Sequence, residues 1–228
     1  MHYLPLSPPF FSLLVAAFLL LLALIQVKVL HYAYTRLGIG STTALFLLFA
    51  SLLGSYLNIP MAQLPERQII SGQEINFFGM RYVVPTVVDW PGTIIAVNVG
   101  GALIPVLLSL YILIKHAPWL EALVATACVT LVCYALATPV PGIGIAVPTL
   151  IPPLTAGASA HLLSREHPAA VAYISGSVGT LIGADLLNLG RVAGLGAPVV
   201  SIGGAGTFDG IFLTGIIAVL FASIGGRR

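Results

Sequence analysis

From Phe10 to Leu30 the chain reads FFSLLVAAFLLLLALIQVKVL. About 20 apolar residues is the length that crosses a hydrocarbon core as a helix. Within lipid no water is at hand to bond a free backbone N–H or C=O, so such a run must satisfy itself as a helix. Similar stretches follow at Ser41 to about Leu57, Thr93 to Ile114, about Trp119 to Ala137, roughly Val147 to Leu163, Pro168 to Leu189, and Phe208 to Ile224. The expected fold class is therefore an all-α polytopic membrane protein of about seven transmembrane helices, forming a single domain over residues 1–228.

Charge supports the same class. Only 7% of the residues are charged and 58% are hydrophobic, against about 25% charged in soluble domains. The net charge of +2 comes with no basic stripe, so nucleic acid is excluded as an expected partner. The expected partner is the lipid bilayer, with a membrane peptide or other membrane proteins as further candidates. Cys128 and Cys133 lie five apart in an apolar run, on different faces of a helix, and read as small core residues. No cofactor or metal is expected. The first apolar run lacks a basic n-region, so it is expected to stay as a helix and not to be cleaved.

Asn58 to Pro91 is the one sizeable polar stretch. Within it QEINFF and RYVVP flank Gly79-Met80 and suggest a small extramembrane β-hairpin, with an irregular loop as the alternative. The segment TPVPGIGIAVPTLIPPLTAG carries Pro139, Pro141, Pro148, Pro152 and Pro153. Proline removes a backbone donor, so the fifth span is expected to be broken or kinked. Lys28, Arg36, Lys115, Arg165, Arg227 and Arg228 fall on one side of a seven-span topology, and Arg67, Arg81 and Arg191 on the other. The positive-inside rule then places the N-terminus out and the C-terminus in, in a prokaryotic inner or plasma membrane. By the same parity the hairpin, the Pro-rich segment and the loop after Leu189 share one face.

Two carboxylates stand where lipid makes them costly. Asp185 lies near the end of the sixth run and Asp209 at the start of the seventh, 24 residues apart. Two close carboxyls share a proton, so that one stays an acid while the other acts as base. The plainer alternatives are an Asp185–Arg191 ion pair and a helix cap at Asp209. Asn98 and the Pro148–Pro152 break suggest a second constellation, an ion or substrate site of a small transporter or channel. The alternative there is a kinked helix packed on small residues. His161, Arg165, Glu166 and His167 read as an interfacial polar cap. A non-catalytic accessory subunit is the third functional class.

The segments GADLLNL and GGAGTFDGIFL resemble those of an uncharacterised family of bacterial and archaeal multi-pass membrane proteins. That resemblance covers Pro139 to the C-terminus best and implies no activity. More distantly, an Asp late in one span and a Gly-rich Asp motif before a later one are similar to the GxGD aspartyl proteases. These include the prepilin peptidases, the presenilins and the signal peptide peptidases. The resemblance implies Asp185 and Asp209 as the catalytic pair, with Gly204 and Gly206 as close-packing glycines at the binding site. The stretch from Gly204 to Asp209 is two residues longer than GxGD, and no Pro-Ala-Leu follows Asp209.

Overall fold

The computed structural model describes Leu19 and residues 36–65, 67–77, 80–90, 92–116, 118–140, 144–192, 195, 197–204 and 210–224. For 67–77, 80–90, 210, 212, 213 and 224 it describes the backbone alone. The first expected span, Phe10 to Leu30, lies outside these residues apart from Leu19.

The described chain is mostly helical. In order it forms α1 (Ser41–Gly54), β1 (Asn58–Gln63), β2 (Arg67–Phe77), β3 (Met80–Trp90), β4 (Ile94–Asn98) and α2 (Ile104–His116). Then come α3 (Trp119–Leu136), β5 (Thr138–Val140), β6 (Gly144–Ala146), α4 (Ile151–Leu163), α5 (Pro168–Thr180), β7 (Val199–Ile202) and α6 (Gly210–Ile224). A π turn, Val99–Leu103, leads into α2, and a second, Leu181–Asp185, extends α5 into a 3₁₀ turn, Leu186–Arg191.

Three helical stretches are long and apolar enough to cross a membrane: Val99–His116, Trp119–Leu136 and Pro168–Arg191. Ser41–Gly54 and Thr214–Ser223 are apolar but shorter. Seven such helices are therefore not found among the described residues. The third expected span shows one reason. Ile94–Asn98 is a strand and not the first turns of a helix, because neighbours on both sides complete its hydrogen bonds. β1 pairs with it antiparallel, from Asn58↔Asn98 to Gln63↔Ile94. β7 pairs with it parallel, from Ile94↔Val199 to Val97↔Ile202. Thr93 Oγ1 donates to the Ala197 carbonyl at 2.9 Å and holds the start of that pairing.

The hairpin expected around Gly79 is present and longer than the two short runs suggested. β2 and β3 pair from Arg67↔Trp90 to Phe77↔Met80, leaving a two-residue connection. Pro85, opposite Gly72, stands on a two-stranded ribbon whose outer edges tolerate a missing donor. The prolines of the fifth run do not break a helix in its middle. Pro152 and Pro153 occupy the first turn of α4, where backbone N–H groups have no intrahelical partner to lose. Pro148 precedes that turn, and its carbonyl accepts from the Ile151 N–H at 3.2 Å.

α5 is the centre of the bundle. Its sequence PAAVAYISGSVGT is buried from Ala169 to Ser177, because small side chains let neighbours approach on every side. α2, α3, α4 and α6 pack around it. The helices on the outside are turned inside out by soluble standards. α3 buries Ala122, Ala125, Val129 and Cys133 and exposes Leu120, Leu123 and Leu131.

The helices alternate in direction, so the two ends of the bundle differ. All three sheets and the Asp185 turn lie at one end. At the other, Lys115 Nζ donates to the Gly38 carbonyl at 2.7 Å, and the His116 and His167 rings stand 5.1 Å apart.

Candidate functional site

The two π turns and the end of β7 meet at the sheet end of the bundle. Ala102, Leu181, Ile202 and Ile211 form one buried cluster there, with Ile95, Val97 and Leu189 packed against it. The four buried residues come from the first π turn, the second, β7 and the start of α6. The polar groups around the cluster are the candidate site.

Asp185 ends the second π turn and is half-buried. Its Oδ2 accepts from the Gly203 N–H at 2.7 Å. Gly203 is suited to this position for two reasons. Its φ is +97°, a region that other residues rarely adopt, and a Cβ on it would stand 2.6 Å from the Ala102 backbone nitrogen. β7 is thus followed by a residue that packs on one π turn and donates to the carboxylate of the other. Gly204 follows with φ +110°.

Asn98 is the last residue of β4 and the N-cap of the first π turn. It is 1% exposed, and each of its hydrogen bonds has an identified partner. Oδ1 accepts from the Gly101 N–H at 2.8 Å, while Nδ2 donates to the Ser55 carbonyl at 2.7 Å and to Asn58 Oδ1 at 3.0 Å. Asn58 Oδ1 also accepts from Ser201 Oγ at 2.5 Å, so β1, β4 and β7 are tied by side chains as well as by backbone. Ser51 Oγ donates to the Gly100 carbonyl at 2.8 Å and brings α1 onto the same turn.

Asn188, which sequence reasoning missed, is fully buried. Its Nδ2 donates to the Gly183 and Ala184 carbonyls at 2.9 and 3.1 Å. A helix that passes from π to 3₁₀ winding leaves carbonyls without their regular partners, and a side-chain amide supplies the donor. Arg191 Nη1 donates to Asn188 Oδ1 at 3.0 Å and reaches the Ala137 carbonyl at 3.5 Å. The Asp185–Arg191 ion pair, one of the two plain alternatives, is therefore not the arrangement: Arg191 braces Asn188. The only sequence hint of Asn188 is a polar residue inside LLNLG.

Structure thus brings Asp185, Gly203, Gly204 and the Asn98 turn to one junction. Asp209 and Gly206 lie outside the described residues. Pro148 and Pro152 stand at the start of α4, at the same end of the bundle. Of the two cysteines expected in the core, Cys133 is buried beside Thr180 but Cys128 is exposed on the outer face of α3, and neither is in a disulfide. Among the described residues no three His, Cys, Asp or Glu side chains converge as a metal site would require.

Fold and site define a mostly helical protein with three membrane-length apolar helices, in which the half-buried carboxylate of Asp185 stands at a meeting of two irregular helical turns. Residues 52–221 match the family described as Protein of unknown function (DUF1614), and the chain belongs to that family. No curated protein and no solved structure shows significant similarity to it.

Proposed function

We propose that the chain is a multi-pass protein of the prokaryotic inner or plasma membrane, in which Asp185 and Asp209 are the carboxylate pair of an intramembrane aspartyl-type hydrolase. The membrane half of this reading is supported by the exposed leucines and buried small residues of α3, the arrangement of a helix packed in lipid. Arg36, Lys115 and Arg165 gather at the end away from the Asp185 turn, and the positive-inside rule makes that end cytoplasmic.

The chemical half rests on one observation. The chain on both sides of Asp209 is tied to the turn that carries Asp185. Gly203, six residues before Asp209, donates to Asp185, and Ile211, two residues after it, packs in the same cluster as Leu181. Among the described residues one oxygen of Asp185 is held, which leaves the other for chemistry. In the reaction one carboxylate takes a proton from water, whose oxygen attacks the peptide carbonyl. The other carboxyl gives its proton to the carbonyl oxygen. The tetrahedral intermediate then collapses, and the amine leaves with a proton from the pair. The substrate class is an extended membrane peptide, which could add a strand to the short sheets at this end.

Two measurements test the pair. Asp185→Asn and Asp209→Asn should each leave a folded protein and each abolish processing, read as uncleaved membrane proteins accumulating in the cells. Loss should be near complete for either change and no greater for both. In a chain lacking Cys128 and Cys133, Asp185→Cys with Asp209→Cys should form a disulfide on mild oxidation, which demands Cα atoms within about 7 Å. Normal processing by Asp209→Asn sinks the dyad.

A second reading, ion or substrate transport, is favoured by a different feature. Two π-wound helical turns and the Asn98 cap meet near Gly203, and irregular winding inside apolar helices is where transporters often hold their cargo. Loss of function in Asp185→Asn alone, with Asp209→Asn indistinguishable from wild type, is the outcome that selects it.

A further inference from the structure

The cleft between α1 and α2 is polar at its mouth and apolar along its floor. Its volume is about 390 Å³. Gly38, Gly40 and Tyr111 surround the mouth, and Leu47, Ile104 and Leu107 line the deeper part. Lys115 stands at the mouth. Its Nζ donates to the Gly38 carbonyl at 2.7 Å and lies 5.5 Å from the centre of the Tyr111 ring. An ammonium has three N–H donors, and among the described residues the Gly38 carbonyl takes one of them. The mouth is at the basic end of the bundle, where α1 begins and α2 ends.

Size and charge select the occupant. From Ile104 to Tyr111 the floor runs about 10 Å along α2, at about 1.5 Å per residue. A single hydrocarbon chain is narrow enough to enter. The cation at the mouth then calls for an anion at the end of that chain. We propose that the α1–α2 cleft holds one anionic phospholipid, its phosphate at Lys115 and one acyl chain along Leu47, Ile104 and Leu107.

This inference rests on the membrane reading and is independent of the aspartate chemistry. Recovery of the chain only in detergent-extracted membranes tests the membrane reading by itself, separately from lipid binding. For lipid binding, the full chain, delipidated in detergent, is titrated with phosphatidylglycerol or phosphatidylcholine, and bound lipid is counted by native mass spectrometry. The first phosphatidylglycerol should bind about fivefold more tightly than the first phosphatidylcholine, the factor that one cation near the surface supplies. Lys115→Gln keeps a donor for Gly38 and should remove that preference. Gly40→Phe should weaken the first binding step for both lipids. Gly40 has ordinary backbone angles and open space where a Cβ would stand, so the fold should tolerate the change. Equal first-step affinities in the wild type overturn the proposal. So does a first step that Gly40→Phe leaves unchanged, because the lipid then binds elsewhere.

Discussion

Asn98 uses both halves of its amide. The oxygen caps the first π turn at Gly101, and the nitrogen joins β4 to Ser55 and Asn58. An aspartate here could still cap, but its second oxygen would face two acceptors with no proton to give. Buried donors or acceptors left without partners cost about 1–3 kcal/mol each. Asn58 Oδ1 keeps its bond from Ser201, so the Ser55 carbonyl is the buried acceptor that loses its donor, and Asn98→Asp should lose at least about 1 kcal/mol of stability, measured by denaturant unfolding in detergent. A variant as stable as wild type would mean that the three bonds do not matter. Asp185 is a different kind of residue. Only Gly203, among the described residues, meets its carboxylate, so Asp185→Asn retains an acceptor and its effect should be on function and not on folding. Of these residues the sequence marks Asp185 and Asn98 as polar intruders in apolar runs. It says nothing of Gly203, whose part depends on where β7 ends.

At the scale of elements, helix packing is asymmetric between the inside and the outside of α3. A Cβ on Gly183 would press on the Thr130 carbonyl and stand 2.8 Å from Cys133 Cβ. Leu123, on the other face, is 68% exposed. Gly183→Leu should destabilise by about 1–3 kcal/mol through overpacking, whereas Leu123→Ala should change stability by under about 0.5 kcal/mol. Thermal unfolding of the two variants in the same detergent compares them. Equal effects would show that α3 does not present this face to α5. Trp119–Leu136 is readable almost to the residue, since Pro118 precedes it and no proline or glycine interrupts it. Ile94–Asn98 is not. IIAVN is apolar up to its last residue, and a short apolar run suits a buried strand as well as a helix.

For the whole molecule, span parity and structure agree that β1, β7 and the Asp185 turn share one end, while Glu166 stands at the other. This is directly accessible to labelling. Met61 in β1 and Val199 in β7 are 66% and 41% exposed. In a chain with Cys128 and Cys133 replaced, Met61→Cys and Val199→Cys should react with a membrane-impermeant maleimide on intact cells. Glu166→Cys should react only after permeabilisation. Reaction of Glu166→Cys in intact cells, with the other two protected, would invert the proposed N-out, C-in orientation. Labelling of all three in intact cells would contradict a membrane between the two ends.

Composition alone made this chain one whose apolar faces point outward, because so few charges cannot cover a water-soluble surface. The spacing of prolines and the apolar runs located α3, α4 and α5, and small residues in α5 foretold a helix that others approach closely. These are local properties, carried by side-chain size and backbone donors within one segment. Tertiary structure decided the rest. β4 is a strand because β1 and β7 arrive from far along the chain to satisfy both its edges, and no window on Ile94–Asn98 contains that fact. Arg191 turns from Asp185 to Asn188 because the π and 3₁₀ turns between them rotate the three side chains off a regular helical face. Asp185 finds its donor in Gly203, 18 residues on, through a strand whose position is set by its pairing to β4. Contacts of that kind are properties of how elements meet.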